Sequence, residues 1–346
     1  MFISPHSEIL PLLKDTTDFF RSTEITTKRY SLKVNLQVGL LISTRNRPEQ
    51  IRKLLSSLDS QEISQVVVSA SGANIEYVLN EFKSRLKLEY IHSEPGQIRQ
   101  KINGLRVFKN DLDWIIFSDD DLFYPNDFIS KFKCSVESAD SQGLIGVGFR
   151  ISNAGEVSKR LHARILNKFF LLQGGSPGSV NQSGECVSYF KGEQRHATMW
   201  LNGASAWKAE YAHTYSSIAS DTKYAAYEDA IFSHQLSNAG KMMYFPELQV
   251  YYQDPKNLTQ FTSLTFQSYS FWKLYFVIRF GLSFSRYIWS TLGFSFIYLA
   301  NQNSNEKIKI RLRTLIDSWQ GILGVLINKD IEKRIVEVLR CQLPKA

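Results

Sequence analysis

The sequence predicts an α/β fold: a Rossmann-like, mostly parallel sheet flanked by helices, with a C-terminal amphipathic helical extension. Three observations predict it. Short, nearly continuous apolar runs recur as LQVGLLIST (36–44), SQVVVS (64–69), LEYIH (88–92), WIIF (114–117) and GLIGVGFR (143–150). Segments with apolar residues at helical spacing alternate with the first four runs, and strands buried on both faces of a parallel sheet read this way. The last third of the chain then changes character, becoming rich in Phe, Tyr and Trp interrupted by single Lys and Arg residues.

Residues 1–35 are weakly patterned and are expected to form an N-terminal extension. The strand over 36–44 runs into the polar turn Arg45-Asn46-Arg47-Pro48. Residues 48–58 carry Ile51, Leu54, Leu55 and Leu58 at helical spacing, with Pro48 at a tolerated first-turn position. A second strand (64–69), a helix (74–86), a third strand (88–92) and a helix (97–109) lead to the WIIF strand. After the strand at 143–150, the stretch 152–195 is polar and rich in Gly and Ser, too long for an idle connection, and reads as a substrate-facing loop or lid. Residues 227–252 read as a helix of about a dozen residues, a stop at Gly240 and a strand carrying Pro246. The main domain is therefore expected over 36–260.

Residues 261–346 form the helical, aromatic-rich region. Lys273, Arg279 and Arg286 break the apolar character of 266–300. Its longest uncharged apolar piece, about 14 residues from Tyr287 to Ala300, falls short of the roughly 20 needed to cross a bilayer. Aromatic helices with interspersed Lys and Arg suit a membrane interface, while helical packing or oligomerisation is the other use of such a region. Residues 307–327 and 329–341 are expected to be further amphipathic helices.

Hydrophobic residues make up 43% of the 346 residues and charged residues 21%, an ordinary globular balance. The net charge of +8 favours an anionic partner: nucleic acid, anionic lipid or a phosphorylated small molecule. No basic tract, zinc-finger or helix-turn-helix pattern supports nucleic acid. Cys134, Cys186 and Cys341 are far apart and form no CxxC pair, so neither a disulfide framework nor a zinc site is expected, and a reduced, cytosolic compartment fits. The first 20 residues lack the basic and continuous apolar regions of a secretory signal.

The WIIF strand ends in Asp119, Asp120 and Asp121. Three adjacent carboxylates repel one another and call for a cation or a shell of donors. On a strand, Asp119 and Asp121 share a face and Asp120 points elsewhere. Two carboxylates at the carboxyl end of a strand make a hard-oxygen site for Mg²⁺ or Mn²⁺ with a phosphate; an exposed acidic turn is the alternative.

VGLLISTRNRPEQIRKLLSSL (38–58), PGQIRQKINGL (95–105), WIIFSDDDLFYPNDF (114–128), WLNGASAWKAEY (200–211) and YEDAIFSHQLSNAGKMMYFPE (227–247), with SWQGILG (318–324) more weakly, resemble the family-2 glycosyltransferases of GT-A fold, in that family's order. The resemblance covers about residues 36–260 and implies transfer of a sugar from a nucleotide-diphosphate donor to a hydroxyl of a glycan or lipid-linked acceptor, with inversion, in cell-surface polysaccharide synthesis of the bacterial O-antigen type. It implies that Asp119 and Asp121 hold the divalent metal and, with Asp120, the diphosphate. Ser43, Thr44 and Arg45 would contact the base and ribose, and Lys101 aligns with an Arg near the diphosphate. Asp229 of the Glu228-Asp229 pair would be the general base, although an acid in the first turn of a helix also serves as a cap. Trp200, Asn202 and Gly203 would floor the donor and acceptor site. A peripheral contact with anionic membrane, at the cytoplasmic face of the inner membrane, goes with this reading.

Two departures stand out. Ser69 occupies the end of the second strand, where the family usually has Asp. Tyr252, followed by Gln253 and Asp254, stands where many relatives carry a His as third metal ligand. Arg99 and Lys101 read equally as solvated surface cations, and His213 and His234 as surface or structural residues. Two rivals remain: a nucleotidyltransferase, whose glycines STRNRP lacks, and a non-catalytic carbohydrate-binding or scaffold protein on a decayed transferase fold.

Overall fold

The computed structural model describes residues 36–341 other than 60, 140–142, 155–160, 218–221, 223–224, 255–261, 301–305 and 328–330. The expected extension over 1–35 lies outside the described residues. Leu36–Ala346 forms one compact unit.

Strands β1 (Val38–Arg45), β2 (Gln65–Ser71), β3 (Leu88–His92) and β4 (Trp114–Asp119) form the parallel half of the sheet. Strands β5 (Leu122–Phe123), β6 (Leu144–Ile151), β7 (His196–Thr198), β8 (Ser205–Lys208) and β9 (Lys241–Tyr252) complete it. The order is β3-β2-β1-β4-β8-β6-β9-β5, with β7 also on β9. β8 runs antiparallel to both β4 and β6, so the sheet is parallel on one side and mixed on the other. β9 accommodates Pro246 at a register shift, where Phe149 pairs with Phe245 but Arg150 pairs with Gln249. A proline lacks the N–H a regular ladder requires, so it falls at the irregularity.

The strands alternate their side chains between two cores. Leu41, Val67, Ile115 and Phe117 face a layer that includes α3 (Gln97–Leu105), α7 (Glu228–Gln235) and α8 (Ser263–Arg279). Leu40, Ile42, Val66, Val68 and Ile116 face the other layer, with α1 (Pro48–Leu58), α2 (Glu76–Asn80) and α4 (Phe128–Ala139). The helix expected over 74–86 shortens to α2. Beyond it, Glu81 and Phe82 donate to carbonyls only three residues back, tightening the chain into turns that bury Phe82 and Leu86.

The described part of the stretch 152–195 is not an irregular loop. It contains α5 (Leu161–Phe169) and a tight hairpin in which Gly178 donates to Val187 O and Val187 to Ser179 O. After β8 come the short α6 (Ala209–Ala212) and a 3₁₀ turn over His213–Ser217. The C-terminal region forms α8, α9 (Phe284–Ala300), α10 (Ile308–Leu326) and α11 (Ile331–Cys341).

Helix α8 does not lie at the surface. Phe271, Trp272, Leu274 and Phe276 belong to the same core as Trp207 and Phe232 of the sheet layer. Lys273, expected among interfacial cations, is 1% exposed. Its ammonium donates to Glu185 and, at 3.0 Å, to Ser290 Oγ. Tyr269 donates to the same carboxylate, and Tyr227 OH donates to Tyr269 OH and to Gly184 O, both at 3.1 Å. Tyr227 immediately precedes Glu228, so this network pins the start of α7 to the C-terminal helices.

Removing one partner of a buried ion pair strands the other. Lys273→Met is expected to lose about 3–5 kcal/mol in denaturant unfolding, and Glu185→Gln added to it to restore most of that loss. A single variant as stable as the wild type would rule out this role for the pair.

Candidate active site

The carboxyl ends of β1 and β4 lie side by side, with Ser43 level with both Asp119 and Ser69 in the ladder. They open into a cleft of about 480 Å³ lined by Ser43, Thr44, Arg45, Arg47, Gly96, Gln97, Gln100, Asp119, Asp120, Asp121 and Tyr252. Gly96, at φ 144°, turns the chain into α3. From that helix Gln100 donates to Thr44 O at 2.6 Å and Ser69 O at 2.9 Å, tying the ends of β1 and β2 together under the cleft.

The three aspartates divide their tasks. Asp120 is buried and accepts from Thr44 Oγ1 at 2.7 Å and Arg47 Nη1 at 2.8 Å. It is a structural anchor for the turn, with Arg47 also 3.7 Å from Asp121. Gln253 closes the turn from β9, its side chain donating to Asp120 O and Leu122 O and its backbone N–H to Asp121 O. Burial pushes the Asp119 carboxyl up to about 7, against the pull of Lys101 and with the repulsion of Asp229, Asp121 and Asp120. Burial and Asp120 likewise raise Asp121, and Arg47 opposes them.

This cluster suits a divalent cation. Its two inward carboxylates carry hard oxygen donors whose charge the protein does not fully neutralise. Among the described residues no group of three His, Cys, Asp or Glu side chains forms a metal cage, so further ligands would come from a diphosphate and water. Tyr252 lines the cleft beside them. Burial, Asp119 and Asp121 all raise its pKa, so it stays a neutral phenol that can donate a hydrogen bond. Asp254 is exposed and is not among the cleft-lining residues.

Lys101 is the main departure from the surface reading. It is 4% exposed, with Nζ 2.8 Å from Asp229 Oδ1 and 3.6 Å from Glu228 Oε1, over the rings of Phe117 and Tyr215. Burial works against its charge, but Asp229, Tyr215, Glu228 and Asp119 together hold its pKa well above the lysine range. Burial and Asp229 push Glu228 up to about 7, with Lys101 opposing. Asp229 is half-buried, and its carboxylate meets Lys101; Tyr227 at the N-cap makes no side-chain capping bond. Arg99, by contrast, is a partly exposed residue paired with Glu94.

The 200–204 segment forms a wall against the acidic cluster. A methyl group at Gly203 would sit 2.6 Å from Asp119 Oδ2, so a larger residue there would displace that carboxylate. Asn202 accepts from Tyr189 OH at 3.0 Å and returns its backbone N–H to the same hydroxyl at 2.8 Å. Trp200 donates to Val187 O and stacks edge-on against Tyr189, half in the core. Leu201 N–H donates to Ser233 Oγ, which donates to Asp229 O, so the wall is tied to α7.

Ser43, Thr44, Arg45, Asp119, Asp120 and Asp121 thus meet in the cleft, and Lys101, Glu228 and Asp229 meet beside it. Ser69 does not reach it: the residue is fully buried and its hydroxyl pairs with Ser93 Oγ at 3.2 Å. His213 is exposed, and His234 packs against Phe276 and Phe280. Arg47, Gln100 and Gln253 were not anticipated from the sequence. Arg47 alone left a signal, a cation in the turn after β1 facing an acidic triplet.

A carboxyl protonated more readily in the folded than the unfolded chain favours folding at low pH. Its contribution fades as pH rises from about 4 toward 7. Asp119→Asn in chelator is therefore expected to melt a few degrees above the wild type near pH 8, with the difference vanishing near pH 4. Equal melting temperatures at both would contradict the strain assigned to Asp119.

Residues 40–193 match the family model "Glycosyl transferase family 2". Among solved structures, a Staphylococcus aureus TarS fragment (1–349) in complex with UDP-GlcNAc is 11% identical, covering 88% of this chain and 90% of that one at a TM-score of 0.50. Another S. aureus TarS structure is 13% identical at a TM-score of 0.45, and the match covers 82% of this chain but only 43% of that one. The mannosyltransferase PcManGT from Pyrobaculum calidifontis, in complex with GDP-Man and Mn²⁺, is 13% identical, covering 88% and 86% at a TM-score of 0.47. No curated protein matches the chain. The sheet with its acidic strand end is that of a GT-A fold, and residues 40–193 of it are similar to glycosyl transferase family 2.

Proposed function

We propose that the protein transfers a sugar, with inversion, from a nucleoside-diphosphate donor to a hydroxyl of a glycan or lipid-linked acceptor in cell-surface polysaccharide synthesis. The observation that carries this reading is the pairing of two sites: an acidic cluster at the end of β4, and a half-buried Asp229 held on Lys101 beside it. The UDP-GlcNAc complex of a TarS fragment, a protein of the same fold, supports a nucleotide-sugar donor.

Ser43, Thr44 and Arg45 line the part of the cleft expected to take the nucleoside. Asp119 and Asp121 would hold Mg²⁺ or Mn²⁺, which when bound neutralises the diphosphate and stabilises its departure. Asp229 would accept the acceptor's proton as its oxygen bonds the anomeric carbon and the carbon–diphosphate bond breaks on the opposite face. Lys101 would aim that carboxylate, and Glu228, pushed by burial up to about 7, completes the lysine's surroundings. The net charge of +8 supports a station at the cytoplasmic face of the inner membrane, near a lipid-linked acceptor.

Asp229→Asn is expected to lower transfer about 10²–10⁴-fold while donor binding with Mn²⁺, read as a thermal shift, survives. Transfer undiminished by the substitution would remove Asp229 as the base. Absence of any shift with sugar nucleotides in the wild type would remove the donor assignment.

A further inference from the structure

Helix α5 and helix α9, far apart in the chain, form one unit. Trp289 Nε1 donates to Phe169 O at 2.8 Å, and the Trp289 ring lies 5.2 Å from both Phe169 and Phe170. Phe170 also meets Phe296 at 5.8 Å. The helix approaches so closely at Gly293 that a methyl group there would sit 2.2 Å from Phe170 Cβ. This seam turns a set of large apolar side chains outward: Ile165, Leu166 and Phe169 from α5, and Trp289, Leu292 and Phe296 from α9. Ile165, Phe169 and Phe296 are 60%, 59% and 61% exposed. Contiguous apolar surface of this kind on a soluble-sized domain marks an interaction face.

Charge identifies the partner. No Asp or Glu stands between Glu156 and Glu185, nor between Asp254 and Glu306, so both helices are free of acids. The charged residues of the two helices are all basic, and Lys168 and Arg286 among them are exposed. A second copy docked by two-fold symmetry on this face would set basic groups against basic groups. An anionic phospholipid surface complements both the apolar patch and its basic rim. No described helix is long and apolar enough to cross a membrane, which leaves lying on the surface as the mode.

We propose that α5 and α9 together are the face by which this protein lies on an anionic phospholipid membrane, with the aromatic side chains in the headgroup layer and Lys168 and Arg286 against lipid phosphates. The proposal rests on the membrane placement in the function above and not on the donor chemistry. It assigns half of the contact to the 152–195 segment and takes α8, which is buried, out of it. The same segment continues to Tyr189, whose hydroxyl holds Asn202 in the wall of the active site, so the docking face and the acceptor side belong to one stretch of chain.

The test is flotation of the full chain with vesicles of phosphatidylcholine alone or mixed with phosphatidylglycerol. Binding is expected to the mixed vesicles and to weaken with salt. Ile165→Ser/Leu166→Ser/Phe296→Ser, and separately Lys168→Glu/Arg286→Glu, are each expected to weaken it roughly tenfold or more. The thermal shift with a sugar nucleotide and Mn²⁺ should be unchanged in both, since these residues are exposed and away from the cleft. Equal binding to neutral and anionic vesicles, full binding by either variant, or a patch-dependent dimer that ignores vesicles would overturn the proposal. A protein that floats as expected but takes no donor would sink the transferase reading and leave the docking face standing.

Discussion

One buried ammonium group organises the candidate active site. Lys101 enters from α3, lies over Phe117 of β4 and Tyr215, and meets Asp229 and Glu228 from α7. It also lowers the charge burden on Asp119 at the end of β4. A lysine loses its hydration on burial and persists as a cation only where carboxylates replace that water. Equally, three carboxylates converging on a low-dielectric corner need a cation to stay together. The lysine therefore connects the carboxylates expected to serve the donor with the one expected to serve the acceptor. Around it, Gln100 ties β1 to β2 and Ser233 ties α7 to the 200–204 wall.

Local pattern carried much of the fold. The helix over 48–58 and the strand over 88–92 fall where apolar spacing puts them, because the face each packs with is encoded within the segment. The acidic triplet was legible for the same reason: its charges sit next to one another in the chain. Lys101 was not, since its partner Asp229 lies 128 positions away and nothing near residue 101 announces that the lysine points inward. Arg47, Gln100 and Gln253 escape notice similarly, for each acts by bridging elements that only the folded sheet brings together. Ser69 shows the converse. It lies near the carboxyl end of β2, where a donor contact is expected, yet its hydroxyl turns to Ser93 and away from the cleft.

The aromatic C-terminal third shows how composition can mislead about direction. Phe, Tyr and Trp with scattered cations read as one interfacial surface, but the fold divides them. Helix α8 faces the sheet and places Lys273 on Glu185, while α9 buries Tyr287 and Tyr298 and turns Trp289 and Phe296 outward alongside α5. The buried half supports the start of α7 through Tyr269 and Tyr227, so the helices after residue 261 are part of what holds Glu228 and Asp229 in place.

The central claim is that Lys101 holds the acidic groups of the site in their working charge state. The most direct measurement is the pH dependence of kcat/KM for Lys101→Met against the wild type. Without the buried cation Asp119 and Glu228 take up protons more readily, so the acidic limb should move up by about one pH unit or more as the maximal rate falls. An acidic limb that stays where it was, with only a uniform loss of rate, would contradict the account.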